Sequence, residues 1–246
     1  MVDSVTHIIS VFDDFDELIA SVAANIVSLI KKATNGNTFF SFALSGGITP
    51  RRLYRLLGET YSKELEWSKV HFFFGDERHV PPDSLLSNYR MVKENLFDAL
   101  ELPSENIHPV PFHEGKLNED AISYEHELRS LLKHSDRTFD LTLLGMGSDG
   151  HTASLFPNSG ALDEKERWVV GANVNVEPRE RITLTYPVLN SSERTYFLVA
   201  GKEKATALKR VFKGEDFHMV PAAGIRSKTD GPHWWVDREA YSLIKG

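Results

Sequence analysis

Short apolar runs alternate along this chain with longer segments in which apolar residues recur every three or four positions. The runs that read as strands are HIISVF (7–12), FFSFAL (39–44), VHFFF (70–74), DLTLL (140–144), WVVGA (168–172), RITLT (181–185) and TYFLVA (195–200). VHFFF and DLTLL are nearly continuous in apolar character, as expected of strands buried on both faces. Phe15–Lys32 places Leu18, Ile19, Val22, Ile26 and Ile30 on one helical face. Pro50–Leu57, Ser87–Leu100, Glu119–Leu132 and Lys202–Phe212 continue the helical series. Pro50 falls near a helix start, where a missing N–H costs nothing. His233–Asp237 reads as a late strand with tryptophans packed in the core. Strands alternating with helices predict an α/β fold: an open, mostly parallel, Rossmann-like sheet with helices on both faces. No internal repeat or low-complexity linker interrupts the series. Residues 1–246 are therefore expected to form a single domain, with the irregular stretches Leu102–Leu117 and Asn158–Glu166 as loops.

Composition narrows the class. At 246 residues, 41% hydrophobic and 26% charged, the chain suits a soluble globular protein with a large core. No apolar run approaches the roughly 20 residues needed to span a bilayer. The N-terminal MVDSVTHIISVFDDFDE has no basic region ahead of an apolar one, so no signal peptide is expected, and a cytoplasmic location is. The absence of cysteine excludes disulfides, thiolate nucleophiles and cysteine-ligated zinc. Net charge is −7, from 28 basic and 35 acidic residues, with no basic stripe; nucleic acid is not an expected partner. A small anion remains open, because a few converging cations and N–H groups suffice to hold one.

Three strand candidates run straight into unusual polar turns. FFSFAL leads into Ser45-Gly46-Gly47-Ile48-Thr49-Pro50, and VHFFF into Gly75-Asp76-Glu77-Arg78-His79. DLTLL leads into GMGSDGH, which carries Asp149 and His151. In an open parallel sheet the ligand crevice lies beyond the carboxyl ends of the strands, where strand order reverses. Three polar turns at three such ends predict one shared site. In the first turn, paired glycines let N–H groups face a ligand, and the helix that follows adds a favourable partial charge for an anion. The turn is too short for a P-loop and lacks its Lys-Ser/Thr ending, and Ser45 lacks the glycine two residues earlier that a nucleophile elbow requires. In the second turn Asp76 offers a carboxylate and Arg78 an anion ligand. In the third, Asp149 and His151 form a candidate acid–base pair, since histidine titrates near neutral pH; the pattern then turns helical at Thr152. Taken singly, each turn has a plainer reading: a tight turn capped by Ser45, a surface turn whose charges pair with one another, a helix start with Asp149 as N-cap. Their shared placement favours a site.

Two cations would complete it. Arg181 begins RITLT, and Lys204 lies in the first turn after TYFLVA. A lysine there opposes the helix dipole, and a bound phosphate would offset it; the plainer reading is a solvated lysine beside Glu203. Arg90, Arg167, Arg179 and Lys202 are further cations in the same regions. His126-Glu127 lacks the second histidine of a zinc-protease helix, and no dinucleotide fingerprint occurs.

The segments LSGGITPRRLYRLL, FFFGDERHVPPDSLLSNY, FDLTLLGMGSDGHTASLFP, RITLTYPVLN and GKEKATALKRV, in this order and spacing, resemble the 6-phosphogluconolactonase family. The likeness runs from about Ser41 to Trp235; the glycine-histidine motif followed by SLFP is its specific part. The same superfamily contains glucosamine-6-phosphate deaminases, which share the layout of the first three motifs. The resemblance implies an open α/β sheet and hydrolysis of 6-phospho-D-glucono-1,5-lactone to 6-phosphogluconate in the oxidative pentose phosphate pathway. No cofactor and no metal are expected, since a lactone is already an activated ester. Carried over by motif, His151 is the expected base for water, and Asp149 and Asp76 are the expected site carboxylates. Ser45, Gly46, Gly47, Arg78, Arg181 and Lys204 are the expected substrate or phosphate contacts. Many relatives have Ser or Thr at the position of Ile48, which leaves only the Ile48 N–H for a ligand. The deaminases carry a glutamate five residues after the motif histidine; here that position is Phe156. The expected partner is a small sugar-phosphate lactone, and the expected state a monomer or weak homo-oligomer.

Overall fold

The computed structural model describes residues 6–35, 38–132 and 137–244. In chain order its elements are β1 (Ile8–Phe12), α1 (Phe15–Ala33), β2 (Phe40–Leu44), α2 (Ile48–Tyr61), β3 (Val70–Phe74), β4 (Asp76–Arg78), α3 (Asn88–Asn95), α4 (Leu117–Leu132), β5 (Leu141–Leu144), β6 (Val169–Asn173), β7 (Glu180–Leu184), α5 (Tyr186–Leu189), β8 (Arg194–Val199), α6 (Ala205–Phe212), β9 (His233–Asp237) and α7 (Arg238–Tyr241). Six strands form one sheet in the order β1-β9-β8-β5-β2-β3, with every neighbouring pair parallel. The predicted α/β architecture is the observed one.

Alternation along each strand divides the core in two. Phe40, Phe42 and Leu44 of β2 face the same side as Phe72, Leu141, Leu143 and Trp235, under α1, α2 and α3. Ala43, Phe73, Leu144, Phe197 and Trp234 face the other side, against Leu128 of α4, Leu208 of α6 and Ala240 of α7. Trp234 stacks on Phe197 with ring centroids 3.8 Å apart. Fully burying side chains of this size contributes roughly 1.5–3 kcal/mol each, against about 0–1 kcal/mol for an exposed ion pair. The two apolar layers therefore dominate the fold, and both tryptophans belong to them as predicted. No helix among the described residues is long and apolar enough to cross a membrane.

Three expectations change. WVVGA and RITLT do not join the main sheet: β6 and β7 pair antiparallel and, with β4, form a second sheet in the order β4-β7-β6. Residues 174–179 between them are too few for a parallel crossover, which needs about a dozen or more. The GDERH turn is likewise partly strand, because Asp76–Arg78 is β4. No helix starts at Thr152; Thr152 bridges Leu155, and Ala153 has a φ of 47°, outside the helical region. Boundaries also shift. α2 begins at Ile48, two residues before Pro50, and the third predicted helix ends at Asn95, where Leu96 leaves helical geometry at φ −136°, ψ −59°. The predicted segment from Lys202 opens as a 3-10 turn before α6.

One buried carboxylate joins the small sheet to α3. Glu77, 5% exposed, accepts from the N–H of Arg78 at 2.7 Å, Asn88 at 2.7 Å and Tyr89 at 2.8 Å, and from Ser87 Oγ at 3.1 Å. A carboxylate suits a helix start, where N–H groups lack partners. Burial nevertheless pushes the Glu77 carboxyl up to about 7, from 4.5, against the pull of those N–H groups. Between these values the folded chain holds a proton that the unfolded chain has released, so this group's contribution falls as pH rises. Wild type is expected to lose stability relative to Glu77→Gln from about pH 4.5 to about pH 7. Urea unfolding of both proteins across that range measures it; a difference moving the opposite way would refute the assignment.

Candidate active site

β2 pairs with β5 on one side and β3 on the other, so strand order reverses at β2. The loops leaving these three strands part there and open a cavity of about 630 Å³. Its lining includes Ser45, Gly46 and Gly47 after β2, Asp76 and Arg78 after β3, and Asp149 and His151 after β5. Arg181 and Lys204 complete the wall. The cavity thus gathers Ser45, Gly46, Gly47, Asp76, Arg78, Asp149, His151, Arg181 and Lys204, whereas the weaker candidates Arg90, Arg167, Arg179 and Lys202 are not part of its lining. The small antiparallel sheet does part of this work, since it places Arg78 and Arg181 directly opposite each other on β4 and β7.

The β5 loop holds an acid and a base in contact. His151 Nδ1 lies 2.6 Å from Asp149 Oδ1, and the His151 N–H donates to the same oxygen at 3.0 Å. The Gly147 N–H donates to the His151 carbonyl at 2.9 Å, which draws the loop back on itself. A Cβ on Gly147 would sit 2.2 Å from His151 Nδ1 and 2.5 Å from Asp149 Oδ1. Only glycine leaves room for the pair there. Burial raises the Asp149 carboxyl, but the two hydrogen bonds from His151 outweigh it and hold it below the usual range. An ionised Asp149 accepts, so Nδ1 is the donor and Nε2 the basic nitrogen. Nε2 has no hydrogen-bond partner among the described residues, and the ring stacks on Phe156 at a centroid distance of 4.2 Å.

Asp76 is engaged elsewhere. Its Oδ2 accepts from Ser154 Oγ at 2.6 Å, and Asn88 Nδ2 donates to its carbonyl at 2.9 Å. Of the two carboxylates considered for orienting the imidazole, the hydrogen bonds select Asp149. Asn88 also receives Arg78 Nη1 on its Oδ1 at 2.5 Å, and Arg78 donates again to the Leu86 carbonyl at 3.0 Å. Asn88 therefore fixes an acid and a cation at once. It packs against Gly46, where a Cβ would lie 2.1 Å from Asn88 Oδ1. Asn88 and Ser154 line the cavity and were missed from sequence. The signal was present in SNY and in TASLFP, but short polar residues in loops are too common to single out.

The positive side of the cavity is short of acceptors. Arg181 is 6% exposed, its Nε is buried without a hydrogen-bond partner, and no ion pair is formed by it or by Arg78 among the described residues. Burial lowers the Arg181 pKa from its ordinary value; Asp76 opposes this and Arg78 adds to it. Lys204 ends a 3-10 turn, lines the cavity and makes no ion pair among the described residues. The N–H groups of Gly46, Gly47 and Ile48 at the start of α2 make no hydrogen bond to a described residue. A buried donor without an acceptor, as Arg181 Nε is, is rare in folded proteins; a bound anion would satisfy it and could also accept from the more exposed N–H groups of the glycine turn.

A family model described as glucosamine-6-phosphate isomerases/6-phosphogluconolactonase matches residues 13–235. The 6-phosphogluconolactonase of Nostoc sp. is 39% identical over 207 residues, covering 83% of this chain and 84% of its own. That of Mycobacterium tuberculosis is 36% identical over 243 residues, covering 96% and 98%. The crystal structure of the Thermotoga maritima 6-phosphogluconolactonase superposes with a TM-score of 0.82 at 34% identity, over 94% of this chain and 99% of that one. The likeness extends over most of the length of proteins bearing that name, and the chain belongs to the glucosamine-6-phosphate isomerase/6-phosphogluconolactonase family.

Proposed function

We propose that this protein hydrolyses 6-phospho-D-glucono-1,5-lactone to 6-phosphogluconate, as a cytoplasmic single-domain enzyme of the oxidative pentose phosphate pathway. The observation that carries the reading is the His151–Asp149 pair, whose Nε2 has no partner among the described residues, in a cavity also lined by Arg78 and Arg181. That arrangement suits an anionic substrate with an electrophilic carbon. The names of the relatives supply the substrate.

In the proposed reaction, water attacks the lactone carbonyl carbon and gives a proton to His151 Nε2. Asp149 keeps the imidazole in the required tautomer and stabilises the imidazolium. The oxyanion of the tetrahedral adduct is held by N–H groups of the glycine turn, where a small gain in hydrogen bonding lowers the barrier most. The bond from this carbon to the ring oxygen then breaks. His151 returns its proton to that oxygen, leaving an open-chain acid. Arg78, Arg181 and Lys204 hold the phosphate, remote from the reacting carbon, so that its binding free energy positions the carbonyl.

Phe156 argues against ring-opening deamination. Its phenyl ring lies against His151, where a deaminase-like glutamate would place a second acid. The decisive assay generates fresh lactone from glucose 6-phosphate and follows hydrolysis above the spontaneous rate, with ammonia release from glucosamine 6-phosphate as the contrast. Acceleration of the first and none of the second is expected; the reverse would replace this reading with the deaminase. His151→Ala is expected to lower kcat by about 10²–10⁴-fold while still binding 6-phosphogluconate. Unchanged turnover in that variant would remove His151 as the base. Arg181→Ala is expected to weaken 6-phosphogluconate binding by roughly 10- to 100-fold, the range for a hydrogen bond to a charged group, with titration calorimetry as the check.

A further inference from the structure

His79 is buried beside the arginine pair and has no part in the chemistry above. Its side chain is 1% exposed, and each ring nitrogen faces a carboxylate on a different element. Nε2 lies 2.8 Å from Asp120 Oδ2 in the first turn of α4, and Nδ1 lies 3.1 Å from Glu180 Oε2 on β7. The His79 N–H also donates to the Glu180 carbonyl at 3.0 Å. Asp120 is itself held by His113, through Nδ1 at 2.6 Å and through the backbone N–H at 2.6 Å. Burial raises the Asp120 carboxyl, but the bonds from His79 and His113 outweigh it and keep it ionised. Phe112 closes the remaining side of the imidazole at a centroid distance of 4.9 Å.

The position of this clamp is the informative point. β4 and β7 share only three residue pairs, Asp76 with Thr183, Glu77 with Ile182, and Arg78 with Arg181. The ladder therefore ends on two arginines set side by side, and like charges directly opposite on paired strands push apart. His79, just past β4, and Glu180, the first residue of β7, are the next residues beyond that pair. Their contact closes the ladder where it is weakest, and Asp120 ties it to the rigid body of α4.

We propose that His79 is a positioning residue for the anion end of the crevice: bridging Glu180 and Asp120, it sets the spacing of Arg78 and Arg181. The proposal rests on the reading of those arginines as phosphate contacts. A site of this kind must hold its donors to within about 0.5 Å, so loosening the strand ends acts on binding before it acts on bond breaking. The nearest alternative is that His79 only staples α4 to the small sheet, in which case its loss lowers stability and leaves the site intact.

The test compares wild type with His79→Gln, which reaches one carboxylate but not both, and with Glu180→Ala, which removes the half-exposed partner and leaves His79 on Asp120. Binding of inorganic phosphate is measured by calorimetry. Hydrolysis is measured on the phosphorylated lactone and on glucono-1,5-lactone, which has no phosphate. Expected are cooperative unfolding in both variants and a phosphate dissociation constant raised about tenfold in His79→Gln and at least threefold in Glu180→Ala. KM for the phosphorylated lactone should rise in parallel, with kcat within about threefold of wild type and no change in kcat/KM for the unphosphorylated lactone. Wild-type phosphate affinity in a folded His79→Gln, or in Glu180→Ala should the first variant not fold, overturns the proposal. Equal losses on both lactones overturn it too, because they place the effect outside the anion site. Lactone turnover by wild type without any phosphate binding would refute the phosphate reading of the arginines instead.

Discussion

The site exists because β2 is hydrogen-bonded in parallel on both sides, to β3 and to β5. Parallel pairing aligns the carboxyl ends of the three strands, so all three following loops emerge on one edge of the sheet. Reversal of strand order at β2 sends the flanking connections to opposite sides, and the edge opens into a crevice. That pairing in turn depends on burial of both sheet faces. Phe42, Phe72 and Leu141 fill one apolar layer, while Ala43, Phe73 and Leu144 fill the other, and helices cover each. A shift of one residue in any of these strands would exchange its two faces and move the loop that follows it.

A chain with a net charge of −7 still gathers a local cluster of cations. The reason is geometric. Arg181 is held in a buried strand position, where leaving it without an acceptor is costly, and β4 presents Arg78 beside it. Asp76 moderates the repulsion, and Asn88 holds the Arg78 guanidinium through a hydrogen bond. The cationic wall and the His151–Asp149 pair come from separate parts of the chain and line one cavity. His151 has its Nδ1 committed to Asp149 and its ring face to Phe156.

Much of this was legible in the sequence. The strands VHFFF and DLTLL, the amphipathic helix from Phe15 and the polar turns after three strands are local patterns, and each was found close to its predicted place. The errors also have a local cause. RITLT has the same alternation whether its neighbour runs parallel or antiparallel, so periodicity alone did not show that β7 belongs to a second sheet. TASLF reads as a helical start, yet Ala153 takes a positive φ so that Ser154 reaches Asp76. Glu77 reads as one more surface charge in GDERH until the α3 N–H groups are seen to close around it.

By itself the sequence determined the alternation of strand and helix, the glycine turns and the chemical groups at the ends of β2, β3 and β5, because each depends on residues close together in the chain. Only the tertiary structure decided their partnerships. His151 pairs with Asp149 and Asp76 with Ser154, Asn88 bridges an acid to a cation, and Arg181 comes to lie opposite Arg78 from more than a hundred residues away. Those choices follow from which strands pair and which carboxylates lose their water on folding, and hydrophobic pattern along one chain does not encode either.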